Sequence, residues 1–320
     1  MITSIKAVVT DSTEPFHNIA LESRLLDVCD GHTVYMYLWR NDKTVVIGKF
    51  QNAFQECDIE RLQGVGGTLV RRLTGGGAVY HDVNNLNFSF VAHKDNYDKA
   101  RQQAVILRAV RRLGIKAEVS GRNDITVDGK KFSGNSFLTR GDVMLHNGTI
   151  MIDTDKDMMS KCLTVSKDKM QSKGVASVRS RTVNLRQYDK TLTTGKMALE
   201  LLRAFGDVYE LPVQLIKEDE LGSAEIEKIK TDVFMNDAFR FGTNPSFTDT
   251  VSGRFAWGGV EVRYSSEGGV ITNAEVFSDA LDTEAIDALR AYLPGKDINT
   301  LKKIKPDENN KILTDTVGLF

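Results

Sequence analysis

Neither sign of charge dominates this 320-residue chain: 42 lysines and arginines face 43 aspartates and glutamates, a formal net charge of −1. That balance excludes a global electrostatic pull toward nucleic acid or an anionic membrane, so any anion site must be local. Cysteine is scarce. Cys29, Cys57 and Cys162 are far apart and odd in number, and none sits in a cluster with zinc-ligand spacing. A disulfide framework and a structural metal are therefore not expected. The opening MITSIKAVVTDSTEPF lacks the apolar run of a secretory leader, and no stretch is long and apolar enough to span a bilayer. A cytoplasmic protein without a membrane partner is expected. Internal repeats and low-complexity segments are missing too.

What remains is the mixture of an ordinary globular protein, 41% hydrophobic and 27% charged. The length suits a large domain with a smaller one. Strand-like runs occupy Ile5–Val9, Thr33–Trp39, Thr44–Ile47, Thr68–Arg72 and Leu86–Ala92. A helix is expected from Pro15 to about Val28, with Asp11-Ser12-Thr13 offering caps. The turn Asn41-Asp42-Lys43 reads as joining its flanking strands in a hairpin. Helical spacing of Ala100, Ala104, Leu107, Val110 and Leu113 predicts a helix over 97–113, stopped by Gly114. Strands follow at Ile125–Val127, Lys131–Leu138 and Val143–Ile152, the first two joined by an Asp128-Gly129 hairpin. Lys156–Leu163 reads as a helix, and helical patterns dominate from about Thr193 to Leu221. After the loop-rich 241–246 stretch, Gly253–Tyr264 alternates as one strand. Val270–Phe277 is a second, and a helix over 283–293 follows. The expectation is α+β: a largely antiparallel sheet flanked by helices over 1–245, and a small α+β domain over 246–320.

The densest chemical signal is Arg71-Arg72-Leu-Thr-Gly-Gly-Gly-Ala-Val-Tyr80-His81-Asp82. Three glycines make poor strand. Either the backbone there approaches a ligand with free N–H groups, or it forms a bulged hairpin with a solvated arginine pair. Adjacent residues on an extended chain face opposite ways, so only one arginine can enter a site. The run is neither a Walker A loop nor a dinucleotide fingerprint. Gly121–Leu138 places Lys131 on a strand among apolar residues, suited to charge developing on a phosphate or carboxylate, or simply solvated after a hairpin turn. Asn123 and Asp124 offer oxygens to a hydrated magnesium ion. His146 within Leu145–Ile150 reads as catalytic or structural, with no Ser or Cys partner in view. The polar stretch Met170–Leu185 suits a loop closing over an anion, or a charged surface loop.

Taken together and in order, RR-x-TGGGAVYHD, N-x-NFSF, GRND, DGKK-x-SG, H-x-GT and KG-x-x-SVRSR-x-x-NL resemble the lipoate–protein ligase family. FAWGGVEV followed by GGVITNAEVFSDAL is similar to that family's accessory C-terminal domain. The resemblance runs from Asp11 to about Asp279. It implies a fold shared with biotin protein ligases and an enzyme that uses ATP to activate lipoate as lipoyl-AMP. The lipoyl group would then pass to one lysine of a carrier domain, in the H protein of glycine cleavage or the E2 subunits of 2-oxoacid dehydrogenases. Lys131 matches the family's catalytic lysine. By resemblance Arg72, Gly77, Ala78, Val79, Tyr80, Asn123, Asp124 and Lys131 would border ATP and the adenylate, with Lys173, Ser177 and Val178 on an adenylate-binding loop. Arg72, Gly75, Gly76, Gly77, His81, Lys131, His146 and Gly148 would line the lipoyl channel, and Asp124 would hold Mg²⁺.

Two departures, Gly134-Asn135-Ser136 for G-S-A and His146-Asn147-Gly148-Thr149 for H-H-G-T, touch substrate detail more than reaction class. The rival readings are an ATP-independent octanoyl- or lipoyl-transferase, which needs a nucleophilic cysteine near the acyl pocket, and a non-catalytic lipoate- or nucleotide-binding protein. Cys162 reads as a small buried helix residue. A monomer is expected.

Overall fold

The computed structural model describes residues 1–121, 123–164, 182–242 and 246–320. The chain opens with β1 (Ser4–Val9), α1 (Pro15–Val28), β2 (Thr33–Trp39), β3 (Thr44–Ile47), β4 (Thr68–Arg71), β5 (Val79–His81) and β6 (Asn85–His93). It continues with α2 (Lys99–Arg112), β7 (Glu118–Ser120), β8 (Asp124–Val127), β9 (Lys130–Arg140), β10 (Val143–Met151) and α3 (Lys156–Cys162). Then come α4 (Thr194–Tyr209), β11 (Val213–Leu215) and α5 (Ser223–Ile229).

Eight strands form the main sheet in the order β11-β1-β2-β6-β10-β9-β8-β7. β1 runs parallel to β11 and β2, while all other neighbours are antiparallel. The α+β expectation holds, with a largely antiparallel sheet between helices. Every residue of β2 is buried, because its run TVYMYLW is covered on both faces. Met36, Leu38, Phe88 and Phe90 pack toward α2 and α4, against Val105, Ile106 and Phe205. Tyr35, Tyr37, Trp39 and Val91 face the other way, toward Ile19, Leu25 and Leu26 of α1. The site lies on this α1 side. Among the described residues no helix is long and apolar enough to cross a membrane.

Several local expectations change. Glu14, not Asp11-Ser12-Thr13, caps α1: its carboxylate accepts from the amides of Phe16 at 3.0 Å and His17 at 2.7 Å. Pro15 fixes the first turn one residue later than those caps require. β2 and β3 do not form a hairpin. Both edges of β2 are taken by β1 and β6, so β3 leaves for a second, three-stranded sheet in the order β4-β3-β5. The corner is pinned by Asn18, whose Nδ2 donates to the Arg40 carbonyl at 2.8 Å and Asn41 Oδ1 at 3.0 Å. The helical stretch expected to Leu221 breaks at Glu210 (φ 55°), and the edge strand β11 follows. Asp128 and Gly129, with φ of 50° and 71°, do make the expected tight turn between β8 and β9.

The remaining segment forms β12 (Asp249–Phe255), β13 (Gly258–Glu267), β14 (Val270–Ser278), α6 (Thr283–Tyr292) and α7 (Lys311–Val317). The single strand expected over 253–264 is two, reversing at Ala256-Trp257 so that Phe255 pairs with Gly258. The Trp257 ring stacks on Phe255 at 5.2 Å and its Nε1 donates to Asp315 at 2.9 Å, which anchors that turn. Val260, Val262, Val276, Ile286, Leu289 and Val317 form this segment's core. Phe50, from the larger part, packs into it, and the Ser278 amide donates to the Phe50 carbonyl at 2.9 Å.

Candidate active site

The register of the main sheet builds the floor of a cavity of about 140 Å³. Trp39, Asn87 and Thr149 are cross-strand partners, as are Tyr37, Ser89, Asn147 and Ser136 one step along. Side chains two apart on a strand share a face, so both rows point toward α1. Ile19 and Glu22 of α1 roof the cavity, and Arg72, Gly76 to Val79 and His81 form one wall. Asn123, Lys131, Gly134 and Asn135 close the opposite side. Exposure fixes its orientation: Lys131 is about a third exposed (35%), whereas Asn87 and Glu22 show 1% each. Lys131 stands at the mouth.

A hydrogen-bonded chain runs through the wall. Arg72 Nε donates to Thr74 Oγ1 at 3.0 Å, and Thr74 Oγ1 lies 2.8 Å from Ser136 Oγ. Ser136 donates to Asn147 Oδ1 at 2.5 Å, and Asn147 Nδ2 donates to Glu22 Oε1 at 3.0 Å. From the other side Trp39 Nε1 donates to Ser89 Oγ at 3.1 Å, and Ser89 donates to Glu22 Oε1 at 2.5 Å. Burial pushes the Glu22 carboxyl above its ordinary value, while its donors and the Arg72 charge pull it back. Burial also lowers Arg72 to about 10, with Glu22 opposing. Its guanidinium donates to the Val46, Gly75 and Gly77 carbonyls as well, so it shapes the glycine run and brings positive charge to the cavity.

The Lys131 ammonium lies 2.7 Å from Asp124 Oδ1. A Cβ on Gly134 would sit 2.8 Å from that nitrogen, so glycine there makes room for it. Asn123 and Asn135 clamp the neighbouring backbone, each side-chain amide donating to the other's carbonyl at 3.0 and 2.9 Å. The Lys131 carbonyl accepts from the Val183 amide at 2.8 Å. Asp124 is the carboxylate beside Lys131, and among the described residues no cluster of three His, Cys, Asp or Glu could hold a metal. Mg²⁺ commonly uses one or two carboxylates with phosphates and water, which a lone Asp124 satisfies.

Of the residues expected at the site, Arg72, Gly76, Gly77, Ala78, Val79, His81, Asn123, Lys131 and Gly148 line the cavity, and Asp124 touches it through Lys131. Three others, His146, Tyr80 and Gly75, do not line it. His146 projects from the opposite face of β10, because it alternates with Asn147. It is fully buried among Phe88, Phe90 and Phe137, with its ring nitrogens on Gln102 and Asn135. Tyr80 alternates with Val79 into a separate core with Val45, Ile47, Cys57 and Cys162. Gly75 faces the C-terminal segment, where a Cβ would meet the Ala280 carbonyl at 2.2 Å. Cys162, expected as a small buried residue of α3, is buried there outside the cavity lining, and burial raises its thiol. Lys173, Ser177 and Val178 lie outside the described residues, as does most of the 170–184 stretch. Arg71 takes the other face, as alternation requires, donating to carbonyls of Gly48, Gln51, Phe239 and Arg240.

The sequence reading missed Glu22, Trp39, Thr74, Asn87 and Ser89. A signal existed for Glu22: Ile19, Glu22 and Leu26 follow helical spacing, so an acid sits on the apolar stripe of α1.

Known proteins resemble this chain over most of its length. The model of the lipoyl protein ligase A/B catalytic domain matches residues 14–206, and that of the bacterial lipoate protein ligase C-terminus matches residues 244–306. A lipoate-protein ligase A of Psychrobacter cryohalolentis is 34% identical over 288 residues, covering 88% of this chain and 85% of that protein. The structure of P. falciparum LipL1 in complex with lipoate aligns with a TM-score of 0.84 at 28% identity, covering 98% of both chains. An archaeal bi-partite lipoate protein ligase from Thermoplasma acidophilum, studied with its E2 lipoyl domain, aligns at 0.66 and 25% identity, covering 77% of this chain and 98% of that one.

Proposed function

The chain belongs to the lipoate–protein ligase family and is a ligase, and from that premise we propose that it activates lipoate with ATP and attaches it to carrier lysines. The observation that carries this reading is the Lys131 ammonium at the mouth of a cavity whose inner residues Glu22 and Asn87 are buried, held at 2.7 Å by Asp124.

A carboxylate is a poor acyl donor. One lipoate oxygen attacks the α-phosphorus of ATP, the bond to the β-phosphate oxygen breaks, and pyrophosphate leaves with that electron pair. The product, lipoyl-AMP, is a mixed anhydride. The amine of a carrier lysine then attacks its carbonyl, loses a proton, and AMP departs. In the first step two anions meet, so the chain must offset negative charge. Lys131 offers a compact ammonium to both, Arg72 adds a buried positive charge, and the Gly77 to Val79 backbone borders the same wall. Asp124 orients Lys131 and is the carboxylate toward which Mg²⁺ would be held, where that ion would neutralise phosphate charge.

The C-terminal segment, residues 246–320, we read as the accessory domain. The carriers are lipoyl domains of the H protein and E2 type; the archaeal relative's E2 lipoyl domain supports that class. An ATP-independent transferase would need a cysteine at the cavity, and burial of Cys57 and Cys162 in a separate core speaks against it. The test is pyrophosphate release on mixing lipoate with ATP, followed by mass spectrometry of lipoyl domains. A mass gain of one lipoyl group per domain, dependent on ATP, is expected. Transfer without ATP would replace this reading with the transferase.

A further inference from the structure

His146 faces away from the cavity, yet its ring is wired to the cavity's rim. Its Nε2 lies 2.8 Å from Asn135 Oδ1 and its Nδ1 lies 2.9 Å from Gln102 Oε1. A neutral ring cannot donate to two oxygens, and burial, which lowers the imidazole to about 3, keeps the ring neutral. The Asn123 end decides which nitrogen carries the proton. Asn135 Nδ2 donates to the Asn123 carbonyl at 2.9 Å, a group that can only accept, so Oδ1 is the atom turned to His146. Nε2 therefore holds the hydrogen, and Nδ1 is bare.

A bare Nδ1 needs a donor, not an oxygen. Gln102 Nε2 has no partner among the described residues, and neither does the Tyr209 hydroxyl, though Gln102 is the side chain within its reach. A half-turn of the Gln102 amide resolves all three groups: Nε2 then donates to Nδ1, and Oε1 accepts from the hydroxyl. The resulting line runs one way. Tyr209 of α4 donates to Gln102 of α2, Gln102 to His146 of β10, His146 to Asn135 of β9, and Asn135 to the Asn123 carbonyl beside β8. All four donating side chains are at most 3% exposed. The residue after Asn123 is Asp124, which holds Lys131 at 2.7 Å.

We propose that His146 is a positioning residue for the activation step: through this line it fixes the Asn123-Asp124 segment, and with it the Lys131 ammonium, without touching either substrate. The inference rests on the ligase reading above. Lys131 acts on charge that peaks in the transition state, so a loosened clamp costs rate and leaves binding of the acid within the cavity unchanged.

The test pairs two variants. His146→Phe keeps a ring among Phe88, Phe90 and Phe137 and removes both nitrogens, whereas His146→Gln suits that cage less well but returns an N–H toward Asn135. In lipoate-dependent pyrophosphate release, His146→Phe is expected to lower kcat by about tenfold to a hundredfold, at unchanged KM for lipoate. His146→Gln is expected to be the faster of the two although it melts no higher. Activity that follows melting temperature instead, or a parental rate in folded His146→Phe, would reduce His146 to packing and overturn the inference. Should either variant not fold, Tyr209→Phe, which lacks one hydroxyl, is expected to show a smaller fall in kcat at the same KM; an unchanged rate there overturns it too. Long-range ¹H–¹⁵N spectra of the parent protein check the proton order directly. A ring protonated on Nε2 alone at neutral pH supports the inference, and a proton on Nδ1 sinks it. No release by the parent protein would overturn the ligase reading itself, and this one with it.

Discussion

Lys131 and Asp124 meet at 2.7 Å across adjacent antiparallel strands, each about a third exposed. The pair is wet enough for the ammonium to exchange its partner for a substrate oxygen and ordered enough to be in place beforehand. A preorganised cationic donor contributes about 3–4 kcal/mol to a barrier. Lys131→Ala is therefore expected to slow lipoate-dependent pyrophosphate release by about two to three orders of magnitude. A near-parental rate in the folded variant would remove Lys131 from the chemistry.

Two glycines separated by a single residue should behave differently. A Cβ at Gly75 would lie 2.2 Å from the Ala280 carbonyl, whereas one at Gly77 meets nothing within 4 Å. Gly75→Ala is expected to lower stability by roughly 1–3 kcal/mol, since the C-terminal segment must shift. Gly77→Ala keeps its stability, and a methyl beside the cavity raises KM for the acid. Thermal melts paired with KM values distinguish the two, and equal melting losses would refute the contrast.

Arg71 donates from all three of its guanidinium nitrogens to the carbonyls of Gly48, Lys49, Gln51, Phe239 and Arg240. A lysine has three donors and no planar fork. Arg71→Lys is expected to cost about 2–3 kcal/mol in urea unfolding, because buried carbonyls lose partners. Acid affinity changes far less, since Arg71 faces away from the cavity. An unfolding midpoint equal to the parent's would show that those carbonyls find other donors.

Burial depresses His81 and His146 from 6.5 to about 3. Below pH 6.5 the unfolded chain binds protons that the folded chain refuses, so stability falls as pH drops from 6.5 toward 3. The slope is about 1.4 kcal/mol per pH unit for each ring. Glu22, raised by burial, acts oppositely, favouring the fold as pH falls through its own raised value. Chemical denaturation between pH 7 and 5 should show the loss. A flat profile there would mean that the rings are protonated in the folded protein.

Much of this was legible beforehand, for local reasons. β2 and β3 were placed to the residue, because β-branched and aromatic runs bounded by Asn-Asp-Lys leave little latitude. Their pairing was not legible, since β3 finds its neighbours β4 and β5 at long range. Lys131, Arg72 and Asn123 were readable from motif order. His146 and Tyr80 were misplaced because adjacent strand residues diverge, and a motif names both without saying which turns inward. Glu22 and Asn87 escaped because a carboxylate on a helix and an amide on a strand ordinarily mean solvent; only the packed structure shows that these two are enclosed.

The chain through the wall has an indole and a guanidinium at its ends, groups that can only give protons, and a carboxylate in its interior that accepts from both sides. Ser89 and Ser136 each give their proton to one acceptor in the chain, Glu22 and Asn147, and Thr74 can turn its own only toward Ser136 or Asn147. The wall is consequently shaped before any guest arrives, and the disorder lost in setting it belongs to folding rather than to recognition. A visitor whose shape or polarity demands a different setting of any one rotor must disturb its neighbours in turn, which makes the lining a cooperative template rather than a collection of separate contacts.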